Sequence, residues 1–462
     1  MKAQAPAKRF RASRKATAGT DLLRVVALVS ITCAAGSAWS LDLAEAYRLA
    51  SERDATIRAS RASTDAGRER LPQARAQFYP NIGFNASRFR NDLDSTTPDV
   101  LGREVDSHDR YTSDNNILTL RQPLYRKGLF AQYRGAQAVV ADANASLERD
   151  EQNLVMRVTQ AYFEALLAED QLVLIGLQKA AYAGQVDAAT KSFKAGAGTR
   201  TDIDDAQARY DLALAQELDA RESVDLARRQ LQVLIDEPVK SLAALDVAKM
   251  QLTEPAPNSA QAWTELAEAA SPELMSARAQ VEVARAEAEK AQSGHYPTLD
   301  AVAQASRSTS ENVTRINTRY YQKQIGLQLT VPIFQGGLVN SQYREALAFL
   351  ERAENKLEEL RRDLGVRIHR EFKGVAEGVL KVRALEQAVR SAEQVVVSTR
   401  RSFEAGARTR IDILNAEQQA GQARRDLSQA RLLYMLARVR LNALAGGLKV
   451  ESISEMNGWL QR

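Results

Sequence analysis

The stretch "SFKAGAGTRTDI", Ser192 to Ile203, returns as "SFEAGARTRIDI", Ser402 to Ile413, 210 residues later. Each copy is the turn of a larger unit that also occurs twice, and that duplication limits the fold more than any other feature. An Ala-rich helical stretch, about Leu43 to Ala76 in one half and Pro272 to Ser293 in the other, leads into Tyr79-Pro80 or Tyr296-Pro297. Two alternating segments follow, the second closing at Pro123 or Pro332, and after Gly128 or Gly336-Gly337 a very long helical pattern runs to the repeated turn. Another long helix leaves that turn. The unit is helix, strand, strand, helix, turn, helix.

Period-two alternation marks the strands, expected over about 80–90, 112–123, 297–310 and 319–332. Ile325, Leu327, Leu329 and Val331 alternate with Gly326, Gln328 and Thr330. Pro123 and Pro332 fall at strand ends, where a missing ladder donor matters least. Tyr and Phe gather at those ends as well: Phe78, Tyr79, Tyr125, Tyr296 and Phe334 at one, Tyr320 and Tyr321 at the other. With a polar alternate face, this is the layout of aromatic girdles on a barrel in a membrane.

The first 40 residues reinforce that reading. They hold seven cations (Lys2, Lys8, Arg9, Arg11, Arg14, Lys15, Arg24) against Asp21, then an apolar run from Val25 to Ala35 and small residues to Ser40. This is the pattern of an export signal, and the run is shorter than the roughly 18 to 20 residues that span a bilayer. Of the formal +5, +6 belongs to this leader, so the body carries about −1 and nothing favours nucleic-acid binding. Cys33, the only cysteine, lies in the leader, so the mature chain is expected to lack disulfides and thiol chemistry.

Four strands cannot close on themselves, and an open sheet edge in hydrocarbon costs several kcal/mol per unpaired group. The chain must therefore oligomerise. Two copies would give eight strands and a barrel filled by side chains, whereas three give twelve and leave a lumen. The expected fold is an α+β membrane protein: a homotrimeric twelve-stranded β-barrel, four strands per chain, continuing into a long coiled α-helical barrel.

The helices carry heptad rhythm. Leu154, Val158, Ala161, Ala165, Ala168, Leu172 and Ile175 step by fours and threes, as do Ile203, Ala206, Tyr210, Ala213, Glu217, Ala220, Val224, Ala227, Leu231 and Leu234. Leu427, Ala430, Tyr434, Ala437, Leu441 and Leu444 repeat it near the end. The expected organisation is a signal over 1–40, a first repeat over 41–258 with its tip at 195–202, a second over 259–447 with its tip at 405–412, and a tail over 448–462. At the tips Gly196, Gly198 and Gly406 are the turn glycines, and Thr201 with Asp202, and Thr409 with Asp412, lie where the next helix starts. Capping is one role for these aspartates; the other follows from threefold symmetry, which makes any inward residue at the tip a ring of three.

Over essentially all of the mature chain the sequence resembles the TolC family of outer-membrane channel proteins. Its most specific motif is Gly406 to Ala416, "GARTRIDILNA", echoed by Gly196 to Ala206. The resemblance implies a trimer whose periplasmic tunnel is closed by coiled helix pairs and opened by a periplasmic adaptor and an inner-membrane transporter. It further implies that Asp412 forms a constricting ring, with Asn415 where the family has a second aspartate. Arg408 matches a gate-latch arginine, Thr201 and Asp202 match its partners, and Phe403 replaces a latch tyrosine. The segment from Glu237 to Ser259 matches the family's equatorial region.

No enzyme and no cofactor are expected. His108, His295 and His369 are scattered, no carboxylates converge with them, and no phosphate-binding Gly-rich loop or serine elbow is present. The expected function is the exit duct of a tripartite export system passing protein from the cytoplasm to the outside. The alternatives are a multidrug efflux factor and, from a different class, a periplasmic coiled-coil adaptor without a pore.

Overall fold

The computed structural model describes residues 40–310, 318–447 and 450–460. The expected export signal, with Cys33, lies outside the described residues except for Ser40. Three short helices open the body: α1 (Leu43–Arg53), α2 (Ala55–Arg68) and α3 (Arg70–Ala76). The sequence reads as one helical stretch there, but Asp54 breaks it. Its backbone leaves the helical region, its carboxylate accepts the Ile57 N–H at 2.9 Å as the N-cap of α2, and Arg157 holds it from α4.

Strands β1 (Asn81–Pro98) and β2 (Glu104–Tyr125) follow, then α4 (Lys127–Lys194) and α5 (Arg200–Ile235). The second half supplies α6 (Ala260–Ala270), α7 (Pro272–Gln292), β3 (Thr298–Thr309), β4 (Arg319–Thr330), α8 (Leu338–Glu404) and α9 (Arg410–Leu444). A last helix, α10 (Val450–Asn457), lies in the stretch read as a tail. Helix α4 has 68 residues, which at 1.5 Å per residue is on the order of 100 Å. Among the described residues no helix is long and apolar enough to cross a membrane.

The sheet is antiparallel in the order β1-β2-β3-β4, so its central seam joins the two repeats. Register puts Ile82, Leu120, Ala303 and Ile325 in one row, and Phe84, Leu118 and Ala305 in the next row of the same face. The rows between carry Gly83, Thr119, Gln304 and Gln324 on the opposite, polar face. The apolar face is uncovered in the protomer: Ile325 is 88% exposed and Leu327 70%. On β4 that face carries Ile325, Leu327 and Leu329, and past the end of the strand Val331 and Ile333 are exposed as well.

Strands β1 and β2 are longer than the sequence pattern indicates. Pairing of β2 with β3 stops at Asp114 and Thr309, yet β1 and β2 continue together to Pro98 and Glu104. The added ribbon is held by polar rungs in place of apolar alternation: Asn91 to Ser113 at 2.9 Å, Ser95 to Ser107 at 2.8 Å, and Arg110 to Asp92 at 3.1 Å.

At the other end of the sheet, the carboxylate of Asp300, only 2% exposed, accepts from Arg121 (Nε 2.9 Å) and Arg126 (Nε 2.8 Å). This cluster ties β3 to the elbow where β2 turns into α4. The main core lies midway along the helices, where residues 236–259 form no helix. Leu242 bridges to Leu41, and Leu245 bridges to Leu460 beyond α10. The Tyr162 hydroxyl lies 2.9 Å from the Leu41 carbonyl and 3.0 Å from that of Ala243. Tyr434 does the matching work in the second repeat, donating to the Thr253 carbonyl at 2.9 Å and accepting its N–H at 3.0 Å. The heptad stripes lie inside: Leu154, Val158, Ala161, Ala165, Ala168 and Ile175 are all buried, and so are Ala206, Ala213, Ala220, Val224, Ala227 and Leu231.

Candidate functional site: the paired hairpin tips

The two repeated turns have one geometry. Helix α4 ends at Lys194, and Gly196 takes φ +75°; α8 ends at Glu404, and Gly406 takes φ +76°. Only a residue without Cβ adopts that left-handed conformation freely. The N–H groups of Gly196 and Ala197 then return to the carbonyls of Phe193 and Ser192, both at 3.0 Å. Gly406 and Ala407 return to Phe403 and Ser402, both at 2.9 Å. These are Schellman closures, which satisfy carbonyls the helix end leaves open.

Gly198 is a different kind of glycine. Its φ is not positive, and a Cβ there would approach the Ser192 Cβ and the Phe193 nitrogen at 3.1 Å. In the second repeat that place is taken by Arg408.

Both outgoing helices begin with reciprocal capping boxes. The Thr199 hydroxyl accepts the Asp202 N–H at 3.2 Å while the Asp202 carboxylate accepts the Thr199 N–H at 2.9 Å; Thr409 and Asp412 do the same at 3.3 and 2.8 Å. The capping role considered for the two aspartates is thus what the protomer displays. In the first repeat the N-cap is Thr199, and Thr201 lies exposed in the first turn of α5, where the helix starts.

Electrostatics at the tips follow from the caps. The Thr409 N–H holds the Asp412 carboxyl below its usual range, helped by the Thr409 hydroxyl and the charge of Arg408. Asp202 is lowered likewise by Thr199 N–H and hydroxyl, and then by the charge of Arg410, which belongs to the other repeat. Arg408, in the turn, lies 3.8 Å from Asp412 in the first turn of α9. Within the protomer the structure does not bring Arg408 to Thr201 or Asp202 among the contacts of the described residues. Phe403 is half-buried and lies beneath the Arg410 guanidinium, 5.3 Å from it. Asn415 is exposed, and its side-chain oxygen accepts from Arg209 at 2.8 Å.

Sequence reasoning passed over Thr199, Arg209, Arg410 and Ser192. Thr199 was visible as the mate of Thr409 at the repeat offset. The arginines offered no signal, because which side of a helical hairpin faces its neighbour is decided by packing between repeats.

An uncovered apolar sheet face joined to long helical hairpins with capped tips is the layout of an outer-membrane channel protomer. The chain belongs to the outer membrane efflux protein family, whose profile matches residues 24–236 and 263–447. It is 36% identical to the alkaline protease secretion protein AprF of Pseudomonas aeruginosa, over 89% of this chain and 85% of that one. It is 32% identical to the proteases secretion protein PrtF of Dickeya chrysanthemi over 95% of both chains, and 28% identical to the outer membrane protein TolC of Escherichia coli over 91% and 85%. Among solved structures, the Vibrio cholerae outer membrane protein VceC superposes with a TM-score of 0.75 at 18% identity, covering 88% of this chain and 96% of that one. The protein is therefore an outer-membrane protein of the TolC-like class, and members of this family are transport proteins.

Proposed function

We propose that the protein is the exit duct of a tripartite export system, a homotrimer that passes protein cargo from the cytoplasm to the outside. It works with a periplasmic adaptor and an energised inner-membrane transporter of the ABC type. The observation that carries this reading is the four-stranded sheet, which ends at β1 and β4 with one face apolar and the other polar. Three such sheets joined β4 to β1 make a twelve-stranded barrel without edges and with a polar lumen. The helices support the same assembly, since α5 exposes Leu212, Leu226 and Val233 and α8 exposes Val366 and Leu380, surfaces that neighbouring protomers would cover.

Protein cargo is favoured over drugs because the relatives at 36% and 32% identity are named for protease secretion, whereas the efflux protein BepC of Brucella suis is 24% identical. Deleting the gene and assaying secreted protease or repeat-rich toxin alongside drug sensitivity tests this. Loss of secretion with unchanged drug sensitivity is expected, and the opposite pattern would move the protein to the efflux reading.

At the tip, Asp412 forms the constricting ring of three and Asn415 lines the next turn without charge. The latch implied for Arg408, Thr201, Asp202 and Phe403 acts between protomers in this arrangement. Asp412→Asn keeps a cap acceptor while removing the charge, so single-channel ion selectivity in planar bilayers isolates the ring. An unchanged cation preference would rule the ring out.

A further inference from the structure

An aperture lined by helical hairpins widens only if the hairpins move apart. Bonds inside one hairpin travel with it, as Arg400 to Glu417 at 2.9 Å and Arg424 to Glu393 at 2.6 Å do between α8 and α9. The bonds that resist opening are those that cross from the first-repeat hairpin to the second.

At the tip two arginines make such crossings, in opposite directions. Arg410, at the start of α9, donates from Nη2 to the Ser192 hydroxyl in the last turn of α4 at 2.8 Å, with its guanidinium over the Phe403 ring. Arg209, on α5, donates from Nη1 to the Gln418 side-chain oxygen and from Nη2 to that of Asn415, both at 2.8 Å. The remaining guanidinium groups of the turns stay at home: Arg200, the repeat mate of Arg410, lies 3.3 Å from Asp204, and Arg408 lies beside Asp412. Repeat symmetry is thus broken where the hairpins touch.

We propose that Arg410 and Arg209 form a reciprocal brace within each protomer that positions the second-repeat hairpin against the first and holds the tip in its resting state. This rests on the channel reading above and adds to it the residues that set the resting state. The acceptors are a hydroxyl and two amides, so each bond is charge-assisted on one side only. That makes the brace firm enough to hold and weak enough for a docking partner to undo. Phe403 fits the same scheme, because an aromatic face attracts the guanidinium without needing a hydroxyl.

The test uses purified full-length protein in planar bilayers, comparing resting conductance of wild type with R410A, S192A, R209A and the double variants R410A/S192A and R410A/R209A. The brace predicts that R410A and S192A each raise resting open probability on the order of threefold to tenfold, the range of a partly exposed charge-assisted hydrogen bond. R410A/S192A is expected to go no further than R410A, because the two residues share one bond, whereas R410A/R209A exceeds either single change. S192A is the smallest change and keeps the test valid if an arginine variant assembles poorly. Resting conductance at the wild-type level in S192A, or in assembled R410A and R209A, overturns the brace while leaving the duct intact. A wild-type protein that inserts and conducts nothing overturns the channel reading and the brace with it.

Discussion

Replacing Leu327 by arginine separates a lipid-facing sheet from a water-facing one, because the two environments give opposite answers at the same residue. Leu327 is 70% exposed in the protomer and sits near the middle of the apolar span on β4, opposite Ala301. On a sheet in water such a change stays within about 0.5 kcal/mol, since no packing is lost. At the midplane of an outer membrane it costs about 2–4 kcal/mol per chain, and three copies bring roughly 6–12 kcal/mol to a trimer. Gln324→Arg, on the polar face and bonded to Gln304, is the control; it gives up one side-chain hydrogen bond of about 1 kcal/mol. Both variants are extracted from outer membranes and run unheated and heated on a gel, with urea midpoints of refolding into vesicles as the quantitative readout. Leu327→Arg should lose the heat-modifiable form and Gln324→Arg should keep it. Equal assembly of Leu327→Arg and wild type, or equal damage from both changes, would refute the assignment of the faces.

Gly446 and Gly406 share a left-handed backbone, φ +69° and +76°, but a Cβ on Gly446 would lie 2.3 Å from the Ala270 carbonyl oxygen whereas one on Gly406 meets open space. Gly406→Ala should therefore cost about 1–2 kcal/mol and Gly446→Ala about 1–3 kcal/mol more, read as loss of the urea midpoint. Thr409→Ala removes the cap hydroxyl and should destabilise the start of α9 by about 1 kcal/mol, visible as faster amide hydrogen exchange over residues 410–413. Asp202 and Asp412 are held below the usual carboxylate range, so their contribution is complete above the unfolded value near 4 and fades as pH falls through the folded values. Protease nicking at the tips should thus stay flat from neutrality down to about pH 4 and rise only below it.

The parts of this fold legible in the sequence are those whose cause is local or periodic. Helix α4 starts at Lys127 and ends at Lys194, and its pattern ran from Gly128 to Lys194, because no proline interrupts it and Gly196 stops it. The inner halves of the strands were legible because one face is mainly apolar and the other polar, so the residue type alternates along each strand. The outer ribbon was not, since both of its faces are polar and only cross-strand partners such as Arg110 and Asp92 keep it paired. The contact of Asp54 with Arg157 of α4, and the crossings made by Arg209 and Arg410, depend on which element lies beside which. Those are facts of tertiary placement, invisible to a window sliding along one helix.

The seam between β2 and β3 has a consequence for biogenesis. Leu118 faces Ala305 and Asp114 faces Thr309, so the middle of the sheet is made of segments almost 200 positions apart in the chain. A polypeptide delivered amino end first presents the β1–β2 hairpin long before its mate emerges, with an oily surface and a bare row of backbone donors and acceptors on display. Such distant closure is slow. Until the second half arrives that hairpin stays unpaired along one edge, and a delay at this stage is where aggregation would begin.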